Sequence, residues 1–144
     1  MTAGRGPIVV GADGSAHAVR ALEWAAGLAT ELGVEVVAVH ALGLLAHLQG
    51  GQEPAQHHRH DVQELLAGEW TAALRSVGVS HHVEVVDGSP VTALSAAAAA
   101  HGASMVVVGS RGSGGFPGLQ LGSTSHQLAQ HAAVPVVIVP SPRR

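Results

Sequence analysis

Five short runs rich in valine divide this chain, and stretches with a helical repeat of apolar residues separate them. The runs occupy residues 7–12, 34–42, 81–86, 103–109 and 134–140. Continuous apolar runs of this length are typical of strands that are buried on both faces, and strands that alternate with helices pair in parallel. The pattern therefore predicts a three-layer α/β fold, with helices on both faces of an open, parallel five-stranded sheet.

Turn residues mark where the intervening helices begin and end. Ser15 precedes an apolar repeat that closes at Gly33, and Ser89 with Pro90 precedes an alanine-rich stretch that stops at Gly102. Serine at the N-cap, proline in the first turn and glycine after the last turn are the usual signals of helix ends. Residues 57–77 and 123–132 are predicted as further helices. Residues 43–56 lack a sustained period and are predicted as a surface excursion with some helix at its start.

The composition excludes several classes of site and partner. There is no cysteine for a disulfide or a thiolate site, and no lysine for a P-loop or a Schiff base. The formal net charge is −3 and the seven basic residues are scattered arginines, so no basic patch for nucleic acid is present. No stretch reaches the roughly 18 apolar residues of a membrane span. We expect a single domain over residues 1–144, in the cytoplasm, with no nucleic-acid or membrane partner.

A glycine-rich loop follows the fourth predicted strand and extends from Gly109 to Ser123 and Thr124. Glycines let backbone amides approach a polyphosphate, and a helix that starts after Gly122 supplies N–H groups and the positive end of its dipole. Ser123 is also suited to be the N-cap of that helix. We therefore predict a phosphate site that needs no lysine. Taken alone, Gly109 and Gly112 would favour a simple turn after a strand.

The spacing within this loop is more specific than its glycine content. Gly109, Gly112, Gly122 and Ser123 follow the pattern G-x2-G-x9-G-[ST]. The segments VVGADGS, AVHA, VVVGSRG and VPVVIV occur in this order along the chain. Together these features resemble the ATP-binding members of the universal stress protein family, over nearly the whole chain. The resemblance implies a Rossmann-like sheet with strand order 3-2-1-4-5 and a bound adenine nucleotide.

The resemblance also implies roles for individual positions. On the adenosine side it places Asp13 near the adenosine, the backbone of Ala41 against the adenine, Val108 and Gly109 beside the ribose, and Gly11 at the end of the first strand. On the phosphate side it places Arg111, Gly112, Gly122, Ser123 and Thr124. Arg111 stands where relatives often have histidine, and it adds a permanent charge and a planar set of donors. A structural role for Asp13, in which it caps the first helix or shapes its turn, has equal weight with the ligand role and is compatible with it.

Histidines are abundant, with eleven in the chain, and they raise the question of a metal site. The densest group is His57, His58 and His60 beside Asp61. His57 and Asp61 would share one helical face, but no cysteine or second carboxylate completes a tetrahedral set. We expect a solvated polar face and no metal site, and the role of the group stays open.

No catalytic residue is predicted, because the sequence contains no recognisable Ser-His-Asp order or paired carboxylates. The leading hypothesis is a stress-response regulatory protein that binds ATP or a related adenine nucleotide, with Mg²⁺ bridging phosphate oxygens. The alternatives are a weak ATPase or phosphotransferase on the same site, and a nucleotide-free interaction or chaperone-like protein. The intact glycine signature argues against the nucleotide-free protein.

A homodimer is the remaining expectation. In the family that the chain resembles, the fifth strand lies at the sheet edge and pairs with the same strand of a second subunit. Here that segment extends from Val134 to Val139. Other protein partners are unknown from the sequence. The two tryptophans, Trp24 and Trp70, lack an aromatic series around them and are predicted to pack helices against the sheet.

Overall fold

A parallel sheet forms the centre of the fold in the computed structural model, which describes residues 5–42, 52–110 and 122–140. Its strands are β1 (Ile8–Gly11), β2 (Val36–Ala41), β3 (His81–Val86), β4 (Met105–Gly109) and β5 (Val136–Val139). They lie in the order β3-β2-β1-β4-β5, and every neighbouring pair is parallel. The predicted α/β sheet and the strand order that the resemblance implied are both confirmed.

Helices cover both faces of this sheet. They are α1 (Ala16–Leu32), α2 (Gln52–Ala67), α3 (Ala72–Val77), α4 (Pro90–His101) and α5 (Ser123–His131). As predicted, α1 begins after Ser15, whose Oγ accepts a hydrogen bond from the Ala18 amide at 3.2 Å, and it ends at Gly33. Likewise α4 begins after Ser89 and ends at Gly102. These caps satisfy backbone groups that every helix end leaves unpaired, so the helix bounds follow from local sequence.

The single helix predicted over 57–77 is wrong, because a 3-10 turn at Glu69–Thr71 separates α2 from α3. The Thr71 hydroxyl donates to the Leu66 carbonyl at 2.6 Å, and the Arg75 guanidinium donates to the Ala67 carbonyl at 2.7 Å. These side chains bind carbonyl groups at the end of α2 and thereby replace the hydrogen bonds of a continuing helix. At its other end, α2 extends into the segment that was expected to be a surface excursion.

Two apolar layers enclose the sheet. Ile8 and Val10 of β1 belong to the layer beneath α1 and α3, which we call the α1 layer. Val9 belongs to the opposite layer, beneath α4 and α5, as the alternation of a strand requires. Trp70 packs against the α1 layer as predicted. The same prediction for Trp24 is wrong, because its position on α1 leaves it 42% exposed.

Candidate functional site

The carboxyl ends of β1, β2 and β4 are adjacent, because β1 lies between the other two strands and all three are parallel. Gly11, Ala41 and Gly109 are the last residues of these strands, and Val108 precedes Gly109. Open parallel sheets bind their ligands outside this edge, at the point where the strand order reverses. The structure therefore brings the four residues together at a place suited to a ligand, which we call the carboxyl edge.

The turn between β1 and α1 brings Asp13 to the same edge. The Ala12 amide donates to the Val39 carbonyl at 2.9 Å, which ties the start of the turn to β2. One carboxylate oxygen of Asp13, Oδ1, accepts a hydrogen bond from the Ser15 amide at 2.9 Å. Between them, Gly14 adopts a φ of 81°, which favours glycine. The turn-shaping role expected of Asp13 is thus present, and the half-buried carboxylate lies at the carboxyl edge.

Two hydrogen bonds join the two ends of the glycine-rich loop, and a third ties its first end to β5. The Gly122 amide donates to the Ser110 carbonyl at 2.7 Å, and the Ser110 amide donates to the Val139 carbonyl at 3.0 Å. The Ser125 hydroxyl, which is buried, donates to the Gly109 carbonyl at 2.6 Å. The start of α5 is therefore held directly against the end of β4, which Ser110 in turn ties to β5. Arg111 and Gly112 lie outside the described residues.

The N-terminus of α5 faces this junction. Gly122 is the N-cap, with φ −70° and ψ 166°, and it provides no side-chain cap. The expectation that Ser123 caps the helix is wrong, because Ser123 is the first helical residue. Ser123 and Thr124 both lie in the first turn of α5, where Ser123 is exposed and Thr124 is half-buried. A first turn without a side-chain cap presents amide groups and a positive dipole end that favour an anion.

Gly109 has a structural reason to be glycine. A Cβ added to it would lie 2.7 Å from the His17 carbonyl oxygen, in the first turn of α1. A Cβ at Gly11 would lie 3.4 Å from the nearest atom, Leu94 Cδ1, which is close to an ordinary contact. The absence of a side chain at Gly109 therefore lets the start of α1 approach the end of β4. The two helices that begin at the carboxyl edge, α1 and α5, both contact Gly109.

Two residues at this edge were missed by the sequence prediction, and a third was assigned only to packing. Ser125 is a buried hydroxyl just beyond the glycine motif, but only its burial distinguishes it from a surface serine. His40 interrupts the apolar residues of β2, which is a signal that could have been used. Trp70, predicted to pack against the sheet, also lies beside the β1–α1 turn. Both His40 and Trp70 are half-buried.

Several of the described histidines pair with carboxylates or with backbone. His101 Nε2 lies 2.6 Å from Glu84 Oε2, and His60 Nε2 lies 3.7 Å from Glu64 Oε1. Among the residues that the structure describes, no group of three or more metal-ligating side chains could hold an ion. The side chains of His57 and His58 lie outside that description, so the predicted polar face is described only from residue 59 onward.

Residues 4–140 match the sequence model of the universal stress protein family. The chain belongs to this family. A universal stress protein of Mycobacterium tuberculosis strain H37Rv is 35% identical over 145 residues, which cover 95% of this chain but 44% of that protein. Another, of Methanocaldococcus jannaschii, is 28% identical over 144 residues, which cover 95% of this chain and 83% of the relative. The chain thus spans less than half the length of its mycobacterial relatives.

Solved structures of universal stress proteins have the same fold. One, described as a complex with cAMP, superposes with a TM-score of 0.74 at 25% identity, covering 94% of this chain and 97% of its own. Another, from Archaeoglobus fulgidus and described as a complex with dAMP, superposes with a TM-score of 0.70 at 25% identity. It covers 92% of this chain and 95% of its own. These two universal stress proteins, which share the fold of this chain, are thus described with a bound adenine nucleotide.

Proposed function

We propose that this universal stress protein binds an adenine nucleotide, with ATP as its ligand, and acts as a stress-response regulator. The observation that carries the proposal is the convergence of three strand ends and the uncapped start of α5 at the carboxyl edge. Adenine nucleotides in two solved relatives of the same fold support it.

The proposed site divides into two parts. The adenosine side comprises Gly11, Asp13, Ala41, Val108 and Gly109. The phosphate side comprises Arg111, Gly112, Gly122, Ser123 and Thr124. Amides at the start of α5 suit a phosphate group, and the guanidinium of Arg111 suits the additional charge of a triphosphate. Mg²⁺ would bridge phosphate oxygens and keep mostly water ligands, because this side offers hydroxyls and no carboxylate.

Calorimetric titration with AMP and with ATP, each with and without Mg²⁺, tests the ligand. We expect both nucleotides to bind, and we expect Mg²⁺ to strengthen the binding of ATP more than that of AMP. The reason is that a cation that bridges phosphates needs more than one of them. Absence of binding by both nucleotides at millimolar concentration would contradict the proposal. Binding of AMP alone would contradict the assignment of ATP.

The variant Gly122→Val tests the phosphate side. Its φ and ψ are allowed for valine, so the helix start is expected to form, while the side chain blocks the approach of a phosphate to the backbone. Gly27→Val on α1 is the control, because a Cβ there meets no atom within 4 Å. We expect Gly122→Val to lose ATP without a change in circular dichroism, and Gly27→Val to keep it. Normal ATP binding by Gly122→Val would refute the assigned phosphate site.

We also propose that the protein is a homodimer through the segment from Val134 to Val139. The two edges of the sheet differ in the described part of the chain. At the β3 edge, Arg59 Nη1 donates to the Val85 carbonyl at 3.1 Å, and Nη2 pairs with Asp87 at 2.8 Å. At the opposite edge, β5 pairs on one side with β4 and exposes part of its apolar side chains. An apolar edge strand of this kind favours pairing with a second chain.

A further proposal concerns the whole chain. Residues 1–144 are proposed to form one nucleotide-binding domain, because the elements from β1 to β5 share the two apolar layers. No helix within the described ranges is long and apolar enough to cross a membrane. The cytoplasmic location stays a prediction from the sequence.

A further inference from the structure

His40 and Trp70 contact the turn that carries Asp13. His40 Nδ1 lies 2.7 Å from the Ala12 carbonyl oxygen. A carbonyl oxygen can only accept, so Nδ1 carries the proton and donates it to this hydrogen bond. The imidazole and indole centroids are 5.3 Å apart, with the ring planes tilted by 50°. This separation is within the range of favourable aromatic pairs.

Trp70 reaches the turn itself at Gly14. A Cβ added to Gly14 would lie 2.6 Å from Trp70 Nε1 and Cε2 and 2.8 Å from Cζ2. The indole edge therefore occupies the space in which a side chain of Gly14 would lie. Gly14 also has a φ of 81°, so glycine is required there both by backbone conformation and by the indole. The residue between Ala12 and Gly14 is Asp13.

The position of Trp70 depends on the break between α2 and α3. Trp70 is the middle residue of the 3-10 turn at Glu69–Thr71. The Arg75 guanidinium donates to the Thr71 hydroxyl at 3.1 Å and to the Gly68 carbonyl, so it binds both sides of this turn. A packed contact of this kind, from a rigid turn to a binding loop, can change affinity without touching the ligand.

We propose that the His40–Trp70 pair positions the Asp13 turn for adenosine binding, so that Trp70 is a positioning residue of the proposed site. The proposal rests on the proposed nucleotide function. In this arrangement His40 holds the Ala12 carbonyl, the indole holds Gly14, and Asp13 between them keeps its place at the carboxyl edge. The pair acts on the adenosine side, and it should affect AMP and ATP equally, because both contain the same adenosine.

The test compares Trp70→Phe with Trp24→Phe. These are the same chemical change at the two tryptophans of the chain, and Trp24 is exposed on α1. Trp70→Phe keeps a ring for His40 but removes the indole edge that contacts Gly14. We expect it to weaken AMP and ATP by the same factor, about fivefold, as for other couplings through packed contacts. Trp24→Phe should bind both nucleotides as the wild type does.

A double-mutant cycle with Gly14→Ala tests the route of the effect. The added methyl meets the indole edge in the wild-type background but not in Trp70→Phe, so the loss of AMP affinity caused by Gly14→Ala should be smaller in Trp70→Phe. Additive losses would overturn a route through Gly14. The φ strain of Gly14→Ala is the same in both backgrounds and cancels from the comparison.

Fluorescence of the Trp24→Phe protein, which retains only Trp70, reports on Trp70 with its side chain in place. AMP should change its emission, whereas emission from Trp24 in Trp70→Phe should stay constant. Unchanged Trp70 emission on binding, or unchanged AMP affinity in Trp70→Phe, would overturn the positioning role alone. A wild-type protein that binds no nucleotide in calorimetry would instead refute the proposed function, and this proposal with it.

Discussion

Replacing Ser125 with alanine removes a buried hydroxyl that joins α5 to the end of β4. Ser125 is 3% exposed and its Oγ lies 2.6 Å from the Gly109 carbonyl oxygen. The change leaves that carbonyl without this donor in a site with little access to water. Loss of such a hydrogen bond and the unpaired acceptor together cost about 2 kcal/mol of the free energy of unfolding.

This cost is large enough to measure in two ways. For a chain of this size, about 2 kcal/mol corresponds to a fall of about 4–8 °C in the melting temperature. With a urea m-value of about 2 kcal/mol/M, the same cost lowers the midpoint of unfolding by about 1 M. Both experiments are done on the nucleotide-free protein, so that ligand binding does not contribute.

Ser123→Ala is the matched control for stability. Ser123 is two positions earlier on the same helix, but it is exposed and is not the N-cap. Its change to alanine should alter the free energy of unfolding by less than about 0.5 kcal/mol. If Ser125→Ala is as stable as Ser123→Ala, the buried hydrogen bond does not hold the base of the glycine-rich loop, and the account of this junction is wrong.

Two further predictions concern the sheet edge and the glycines at strand ends. Val137→Asp on β5 should give monomers or aggregates, as measured by light scattering, because like charges would meet in an apolar contact. The control is Val83→Asp, since Val83 is half-buried in the same layer but lies at the β3 edge. This control variant should leave the dimer intact. A wild-type protein that is monomeric at micromolar concentration would refute the dimer. Gly109→Ala should lower the free energy of unfolding by about 1–3 kcal/mol, because its Cβ meets the His17 carbonyl. Gly11→Ala should cost less than about 1 kcal/mol, and equal urea midpoints for these two variants would contradict the packing argument.

Local sequence determined most of the secondary structure. Ser89, Pro90 and Gly102 defined α4 at both ends, because each residue acts on backbone groups within one helical turn. The prediction of one helix over 57–77 was wrong because side-chain hydrogen bonds, and not the apolar period, determine where this helix ends. Its apolar period continues through the break, but the side chains of Thr71 and Arg75 bind backbone carbonyl groups there instead. An apolar period does not contain information about such hydrogen bonds.

The sequence also could not predict which of Trp24 and Trp70 packs against the α1 layer. Composition alone favours packing for both residues, since large apolar side chains are usually inside. Only the fold determines that Trp24 lies on the outer side of α1 and that Trp70, in a short turn, reaches Gly14. Their different environments depend on how α1 and the α2–α3 turn are placed against the sheet.

The sequence by itself determined the α/β class, the caps of α1 and α4, and the loop that begins at Gly109, because these depend on neighbouring residues or on fixed spacing. Tertiary structure decided what holds the site together. The Ser125 hydroxyl meets the Gly109 carbonyl, and the indole of Trp70 meets Gly14, across long stretches of chain. Such contacts depend on the position of each helix along the sheet. Packing of the two apolar layers sets that position, and a local sequence pattern does not specify it.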